Sequence, residues 1–411
     1  MPVPANHACP SRGSGSPGVG SAATGSRHDE LDLRIQELIE RGAAPAERAR
    51  GAQEAEFNRL ALELFAFQYE HNAPYRRFCR ARRVEPGRVS EWTQIPPMPL
   101  TAFKELTLAC EPPEHAAAVF MTSGSTGASR RGRNHHPHLH LYDASLRVNF
   151  AHHFLPDRDR TRVLVLNQRP EEQPNSSIAY FFARLVDFFG APASGFFVDD
   201  RGLQVQRLVA ALREAQAAQE PVALLGTSFA YVHLLDTLTQ EGLSFRLPPG
   251  SRLLDTGGFK GRSREVSAEE LRASFGERLG IPDAWCVNYY GMTEISTQYY
   301  DASLRSDWQG APSGPRYKTV PPWARVRVID PETQLPVKDC EQGLIVHYDL
   351  ANRGSCLAVL SEDIGYLVPA ERVSPPPTQG FVLLGRATGT QTRGCSLAVD
   401  EFLDAARGER R

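Results

Sequence analysis

The sequence is poor in lysine, has no long apolar run and carries almost no excess of either charge. Only four of its 46 basic residues are lysine, so a reaction that needs an ammonium group has few candidates: Lys104, Lys260, Lys318 and Lys338. The formal net charge is −2, and without a basic surface we expect no nucleic-acid partner. No stretch of about 18 apolar residues occurs, so no membrane span is predicted.

The cysteines are scattered, and no two of the seven form a C-x-x-C pair. This pattern favours reduced thiols in a cytoplasmic protein over a disulfide framework or a zinc ribbon. Five of them are predicted to be small, buried, apolar side chains. These five are Cys79, Cys110, Cys286, Cys340 and Cys356.

Residues 1–30 are rich in Gly, Ser, Pro and Ala and contain almost no large apolar side chain. Such a segment cannot bury enough surface to offset the entropy lost on ordering, and we predict that it is disordered. It also lacks the basic and apolar regions of a signal peptide. Apolar residues then recur at helical spacing over 31–48 and 53–69.

From residue 118 onwards, short β-rich runs alternate with amphipathic helical stretches. This alternation predicts an α/β fold with parallel sheets flanked by helices, and we assign residues 31–300 to that core. The predicted strands are Ala118–Thr122, Arg162–Leu166, Gly195–Val198, Val222–Gly226, Arg252–Thr256 and Trp285–Tyr290. Beyond residue 300 the pattern changes to hairpins, which predicts a small β-rich subdomain over 301–384. Residues 385–411 are expected to form a hinge-like loop and a short C-terminal segment.

A Ser/Thr/Gly-rich run follows the first strand-like segment and reads Met121-Thr-Ser-Gly-Ser-Thr-Gly127. Glycine and small hydroxyl residues allow backbone N–H groups to approach a phosphate. The run is neither a Walker A loop nor a dinucleotide fingerprint, because the required lysine and glycine spacings are absent. Taken alone, it is also compatible with a polar, flexible turn. The candidate phosphate-binding residues are Thr122, Ser123, Gly124, Ser125, Thr126 and Gly127.

A second run, Asn288-Tyr-Tyr-Gly-Met-Thr-Glu294, also ends a strand-like segment. Its tyrosines offer flat faces for stacking a base, and Glu294 offers a carboxylate suited to Mg²⁺. Alone, the run could equally be a strand followed by a capping Thr-Glu pair. The candidate nucleotide-binding residues are Tyr289, Tyr290, Gly291 and Thr293.

Two weaker signals follow towards the C-terminus. In Ser361-Glu-Asp-Ile-Gly365, Asp363 precedes a predicted turn and could accept hydrogen bonds from both hydroxyls of a ribose. Gly385-Arg386 is followed by a Gly-rich loop.

In this order and spacing, the four segments resemble the motifs of the adenylate-forming superfamily of acyl-CoA ligases, luciferases and peptide-synthetase adenylation domains. Thr122–Gly127 resembles its phosphate loop and Tyr290–Glu294 its Tyr-Gly-x-Thr-Glu motif. Asp363 resembles its ribose-binding aspartate, and Gly385-Arg386 its hinge.

The sequence resembles more closely the acyl-protein synthetase family (LuxE type), over residues 50–403. The stretches that carry this resemblance are Phe57-Asn-Arg-Leu-Ala61, Ile95-Pro-Pro-Met-Pro-Leu-Thr-Ala-Phe-Lys104, Pro174-Asn-Ser-Ser177, Asp255-Thr-Gly-Gly-Phe-Lys260 and Arg393-Gly-Cys-Ser-Leu397.

The resemblance implies an ATP- and Mg²⁺-dependent ligase that converts a carboxylic acid, fatty or otherwise hydrophobic, into an acyl-AMP. The acyl group then passes to an enzyme cysteine and on to a partner such as an acyl reductase or a carrier protein. Ser123–Gly127 would hold phosphates, Glu294 the Mg²⁺, and Asp363 and Arg386 the rest of the nucleotide. Cys395 is the implied acceptor, because it follows Gly385-Arg386 in the segment that superfamily members move for their second half-reaction.

The sequence departs from the superfamily in two places. The phosphate loop continues as Ala128-Ser-Arg-Arg-Gly132, where the superfamily has Pro-Lys-Gly. Only 17 residues follow Gly394, so the superfamily's C-terminal domain is expected to be missing or strongly reduced, together with its lysine. Lys104 and Lys260 are the best replacements, although either could be a solvated surface residue.

Two other readings of the function stay open. An acyl- or aryl-CoA ligase would pass the acyl group from the adenylate directly to coenzyme A. An inactive nucleotide-binding module would use the same site to recruit a partner.

The aromatic run Tyr180-Phe-Phe182 has helical spacing, which favours a core role over the wall of an acyl tunnel. For the histidines of Asn134-His-His-Pro-His-Leu-His140, contact with phosphate or acyl substrate is favoured over zinc.

Overall fold

The computed structural model describes residues 22–42, 50–122, 131–257, 266–311, 314–373 and 379–387. Within them, the helices are α1 (Ala22–Arg41), α2 (Arg50–His71), α3 (Ala73–Ala81), α4 (Leu100–Glu105), α5 (His140–Phe154), α6 (Ser177–Phe189), α7 (Val205–Ala218), α8 (Ser228–Gln240), α9 (Ala268–Leu279) and α10 (Ser303–Trp308). The strands are β1 (Met98–Pro99), β2 (Ala118–Met121), β3 (Arg133–His136), β4 (Arg162–Leu166), β5 (Gly195–Phe196), β6 (Val198–Asp199), β7 (Gly202–Leu203), β8 (Val222–Thr227), β9 (Arg252–Thr256), β10 (Cys286–Tyr290), β11 (Tyr299–Tyr300), β12 (Lys318–Val320), β13 (Ala324–Ile329), β14 (Gly343–Asp349), β15 (Ala358–Val368) and β16 (Gln379–Arg386).

The first sheet has the order β11-β10-β9-β8-β4-β5. All its neighbouring strands pair in parallel except β10 and β11. Its central strands are apolar because helices cover both faces, and every residue of β4 is buried. The predicted α/β class with a parallel sheet is confirmed, and the bounds predicted for β4 and β9 match the structure.

The second sheet has the order β12-β16-β15-β14-β13 and is antiparallel along this path. The short strand β1 joins it by pairing in parallel with β15, with Met98 opposite Val359. Sequence analysis missed β15 and predicted that Asp363 precedes a turn. Instead, Asp363 lies inside this 11-residue strand. Its buried polar side chains are tolerated there because they have hydrogen-bond partners: the Ser361 hydroxyl donates to the Ile345 carbonyl over 2.8 Å, and Asp363 accepts from the Tyr290 hydroxyl.

The N-terminal helices differ from the prediction in two ways. Helix α1 begins at Ala22, inside the segment expected to be disordered. Extending a helix costs little once its first turns are anchored, and Ile35 and Ile39 anchor α1 in the core. We also placed this region in the α/β unit. However, residues of α1, α2 and α3 share one apolar cluster with the second sheet, including Phe57, Phe65 and Val326.

None of the described helices is long and apolar enough to cross a bilayer.

Candidate active site

The carboxyl end of β10 meets the second sheet, and the second predicted motif lies at this junction. Ligands of open α/β sheets bind outside the carboxyl ends of parallel strands, so this is the expected place for a site. Tyr290 ends β10, and its hydroxyl donates a hydrogen bond of 2.7 Å to Oδ2 of Asp363 on β15. The structure therefore brings together two residues that are 73 positions apart in the sequence.

Arg386 lies opposite Asp363 in the β15–β16 pairing. Its Nε is 3.6 Å from Oδ1 of Asp363, and its side chain is 70% exposed. Burial raises the pKa of Asp363, while the Tyr290 hydroxyl and the Arg386 guanidinium act in the opposite direction. Three of the predicted nucleotide-binding residues thus form one cluster, with a buried carboxylate beside an exposed cation.

Glu294 is 3% exposed, and burial raises the pKa of its carboxyl to about 7. A Cβ atom added to Gly132 would lie 3.2 Å from Oε1 of Glu294 and 3.2 Å from the methyl carbon of Thr122. Thr122 and Gly132 close the base of the predicted phosphate loop, because N–H of Thr122 donates to the Gly132 carbonyl over 3.0 Å. The carboxylate of Glu294 therefore lies at the base of that loop.

Polar side chains that sequence analysis missed hold the segment that carries Glu294. Asn352 donates to the Glu294 carbonyl over 2.8 Å, and Asn134 donates to the Thr293 carbonyl over 3.0 Å. Asp349 accepts from the backbone N–H groups of Ser296 and Thr297, each over 2.7 Å. In the sequence neither residue is marked as functional, because Asp349 ends the apolar strand β14 and Asn352 lies in the turn region after it, where polar residues are common.

Lys104 lies in the last turn of α4, which packs against β15 and β3. Its side chain is exposed. The ammonium of Lys104 and the guanidinium of Arg386 both favour the ionised form of Glu294. By contrast, Lys318 is buried in an ion pair with Asp301, and Lys338 lies on an exposed turn. Of the described lysines, Lys104 is therefore the one whose charge favours ionisation of Glu294.

Tyr289 faces away from this cluster. Its ring stacks on Phe181 of α6 with centroids 4.7 Å apart, inside an aromatic core. A Cβ atom at position 291 would lie 2.5 Å from the Tyr289 hydroxyl, so the glycine of the motif allows the tyrosine ring to fold back. The ring face of Tyr289 that contacts Phe181 is closed to a base. The core role predicted for the aromatic run of α6 agrees with the burial of Phe181 and Phe182.

Several predicted residues lie outside the described part of the chain. These are Ser123, Gly124, Ser125, Thr126, Gly127, Lys260 and Cys395. Among the five cysteines predicted to be buried, Cys79, Cys110, Cys286 and Cys356 are buried, but Cys340 is exposed because it lies on the turn before β14. Burial raises the pKa of the Cys79 and Cys286 thiols to about 12, which makes both poor nucleophiles.

In the described ranges, no group of three His, Cys, Asp or Glu side chains could enclose a metal ion. Magnesium in phosphate-transfer sites needs no such group, because one or two carboxylates hold it together with substrate phosphates and water. Glu294 fits this requirement, since it is a buried carboxylate at the base of a loop suited to phosphates.

The family model described as "Acyl-protein synthetase, LuxE" matches residues 29–404. The chain belongs to the LuxE family of acyl-protein synthetases. This confirms the resemblance inferred from the motifs and the predicted enzyme class, an ATP-dependent carboxylate ligase.

Two curated relatives share the name long-chain-fatty-acid–luciferin-component ligase. The protein of Aliivibrio fischeri is 22% identical over 349 residues, which cover 83% of this chain and 87% of the relative. The protein of Vibrio harveyi is 21% identical over 352 residues, which cover 85% of this chain and 88% of the relative.

The fold is similar to that of 2-hydroxyisobutyryl-CoA ligase, solved in an open conformation with 2-HIB-AMP and CoA. The TM-score is 0.57 at 17% identity, and the match covers 84% of this chain and 75% of that chain. This likeness confirms the predicted adenylate-forming fold.

Proposed function

We propose that this LuxE-family protein activates a hydrophobic carboxylic acid with ATP and then carries the acyl group as a thioester on Cys395. The observation that carries the proposal is the buried carboxylate of Glu294, which lies at the base of the predicted phosphate loop and within electrostatic reach of Lys104 and Arg386. Among the described residues no cation forms an ion pair with Glu294, and burial of such a carboxylate is costly, which supports a cationic ligand at this position.

The nucleotide would bind across the junction of the two sheets. Asp363 would accept hydrogen bonds from the ribose hydroxyls, and Arg386 would turn from Asp363 towards the phosphates, which its 70% exposure permits. The loop after Thr122 would hold the phosphates through backbone N–H groups. Mg²⁺, when bound at Glu294, would neutralise charge on the departing pyrophosphate.

In the first step, a carboxylate oxygen of the acid attacks the α-phosphorus of ATP, the bond to the β-phosphate oxygen breaks, and pyrophosphate leaves. Lys104 would pair with the attacking carboxylate and reduce its repulsion from the phosphates. Lys260, in the matching Gly-Gly-Phe-Lys segment, is the second lysine proposed for this site.

In the second step, the Cys395 thiolate attacks the acyl carbon, the bond to the AMP oxygen breaks, and AMP leaves with the pair of electrons. The thiol proton passes to solvent beforehand, and Arg393 would favour this ionisation. Support for Cys395 comes partly from the burial of Cys79, Cys110, Cys286 and Cys356.

The names of the two curated relatives support a long-chain fatty acid as substrate and a further protein as the final acyl acceptor. We propose an acyl reductase for that partner, because a thioester is a suitable electrophile for reduction to an aldehyde.

The test of the first step is acid-dependent exchange of labelled pyrophosphate into ATP. Wild type should catalyse this exchange with a long-chain fatty acid and Mg²⁺. Glu294→Gln should lose it, and the matched control Glu332→Gln, on an exposed turn, should keep it. If wild type catalysed no exchange with any carboxylic acid, the result would contradict the proposal and favour a nucleotide-binding module. Exchange followed by release of a coenzyme A thioester would instead indicate a CoA ligase.

A further inference from the structure

A chain of buried hydrogen bonds extends from Asp363 into the core between the two sheets. The Tyr290 hydroxyl lies 2.7 Å from Oδ2 of Asp363 and 3.2 Å from Nε2 of His347. Nδ1 of His347 lies 3.1 Å from the Tyr299 hydroxyl. His347 and Tyr299 are both 0% exposed, so bulk solvent does not reach these two side chains.

When Asp363 is ionised, the chemistry of the groups determines which one donates in each hydrogen bond of this chain. An ionised Asp363 can only accept, so the Tyr290 hydroxyl donates to it. The oxygen of Tyr290 then accepts from Nε2–H of His347, and Nδ1 of His347 accepts from the Tyr299 hydroxyl. This order needs a neutral imidazole, and burial lowers the pKa of His347 to about 3. The imidazole is therefore a fixed tautomer rather than a cation.

We propose that His347 is a positioning residue that holds Oδ2 of Asp363 through Tyr290 and so presents Oδ1 to the ribose of ATP. The inference rests on the proposed role of Asp363 in nucleotide binding. Asp363 has two oxygens with different surroundings: Oδ2 is fixed from inside the core, and Oδ1 faces the exposed side chain of Arg386. A carboxylate fixed at one oxygen loses little conformational freedom when the other binds a ligand.

His153 provides a matched control. It is buried, its Nε2 lies 3.0 Å from the Thr319 hydroxyl, and burial lowers its pKa as well. It stacks on Tyr300, and in the described part of the chain it makes no hydrogen bond with Tyr290 or Asp363. Loss of either histidine removes a buried ring and a hydrogen bond. Only loss of His347 interrupts the chain to Asp363.

The experiment compares ATP with 2′-deoxy-ATP in the pyrophosphate-exchange assay, as a ratio of kcat/KM values. A hydrogen bond to a carboxylate is worth about 10- to 100-fold, so wild type should prefer ATP by about that factor. His347→Leu should reduce the preference to less than about threefold, while His153→Leu should retain it. His347→Gln, which restores an N–H donor, should recover part of the preference. If His347→Leu does not fold, Tyr299→Phe makes the same test, because it removes the donor that fixes the tautomer of His347.

Asp363→Asn separates failure of the inference from failure of the proposed function. Collapse of the preference in Asp363→Asn together with an unchanged preference in His347→Leu or Tyr299→Phe would overturn the role of His347 alone. An unchanged preference in Asp363→Asn, or no preference in wild type, would overturn the assignment of Asp363 to the ribose and the inference with it.

Discussion

Replacement of Glu294 by glutamine should stabilise the ligand-free protein while it abolishes acyl activation. Glutamine has nearly the shape of a protonated glutamic acid and never ionises. Burial raises the pKa of Glu294 from 4.5 to about 7, so the folded state opposes ionisation that the unfolded chain permits. The protonated Glu294 carboxyl therefore contributes to the free energy of unfolding. This contribution is fully present below pH 4.5 and is lost as the pH rises through about 7.

The size of this contribution to the unfolding free energy follows from the pKa shift of Glu294. A difference between 4.5 and 7 corresponds to about 3 kcal/mol of unfolding free energy once both states are ionised. Urea unfolding should therefore give similar free energies for wild type and Glu294→Gln near pH 5, and a gain of about 2 to 3 kcal/mol for the variant at pH 8.

Glu332→Gln, at an exposed carboxylate, is the control and should follow wild type at both pH values. A variant that gains nothing between pH 5 and pH 8 would refute the premise that Glu294 is strained in the absence of a ligand. A stabilised variant that still exchanges pyrophosphate would show that the carboxylate is buried for another reason.

Three further predictions concern neighbouring groups. Lys104→Met should lower kcat/KM for pyrophosphate exchange about 100-fold, whereas Lys338→Met on its exposed turn should match wild type; equal rates would remove Lys104 from the site. Asp349→Ala should lower the unfolding free energy by about 3 kcal/mol, because it leaves the buried donors of Ser296 and Thr297 unpaired, and a smaller loss than in an exposed Asp339→Ala control would contradict this account. The exchange rate of wild type should rise with pH through about 7 as Glu294 ionises, and a flat profile would argue against Glu294 as the metal ligand.

The parallel sheet was predictable because its strands β4, β8 and β9 are largely apolar runs, each followed by a helix. The bounds of β4 and β9 needed no tertiary information. β15 was not predictable in the same way, because its Ser-Glu-Asp segment is polar and its strand conformation depends on partners on both sides. Likewise, β1 is only two residues long, and it is a strand only because it pairs with β15.

In the candidate site, too, some residues could be predicted from the sequence and others depend on tertiary contacts. The motifs of the sequence pointed to Glu294, Asp363 and Arg386, and the structure brings these residues to one junction. His347 and Asp349 gave no signal of function, because a histidine and an aspartate at the end of an apolar run have many possible roles. Tyr289 and Tyr290 are adjacent in sequence, but alternation along β10 directs one to the aromatic core and the other to Asp363.

The most direct test of the central claim is the intact mass of the protein after incubation with ATP, Mg²⁺ and a long-chain fatty acid. Wild type and Cys340→Ser, which removes the exposed cysteine of the described chain, should each gain the mass of one acyl group in a form that hydroxylamine removes. Cys395→Ser should gain none while it still exchanges pyrophosphate. An acyl adduct on Cys395→Ser, or acyl-AMP with no adduct on wild type, would contradict the claim that Cys395 carries the acyl group.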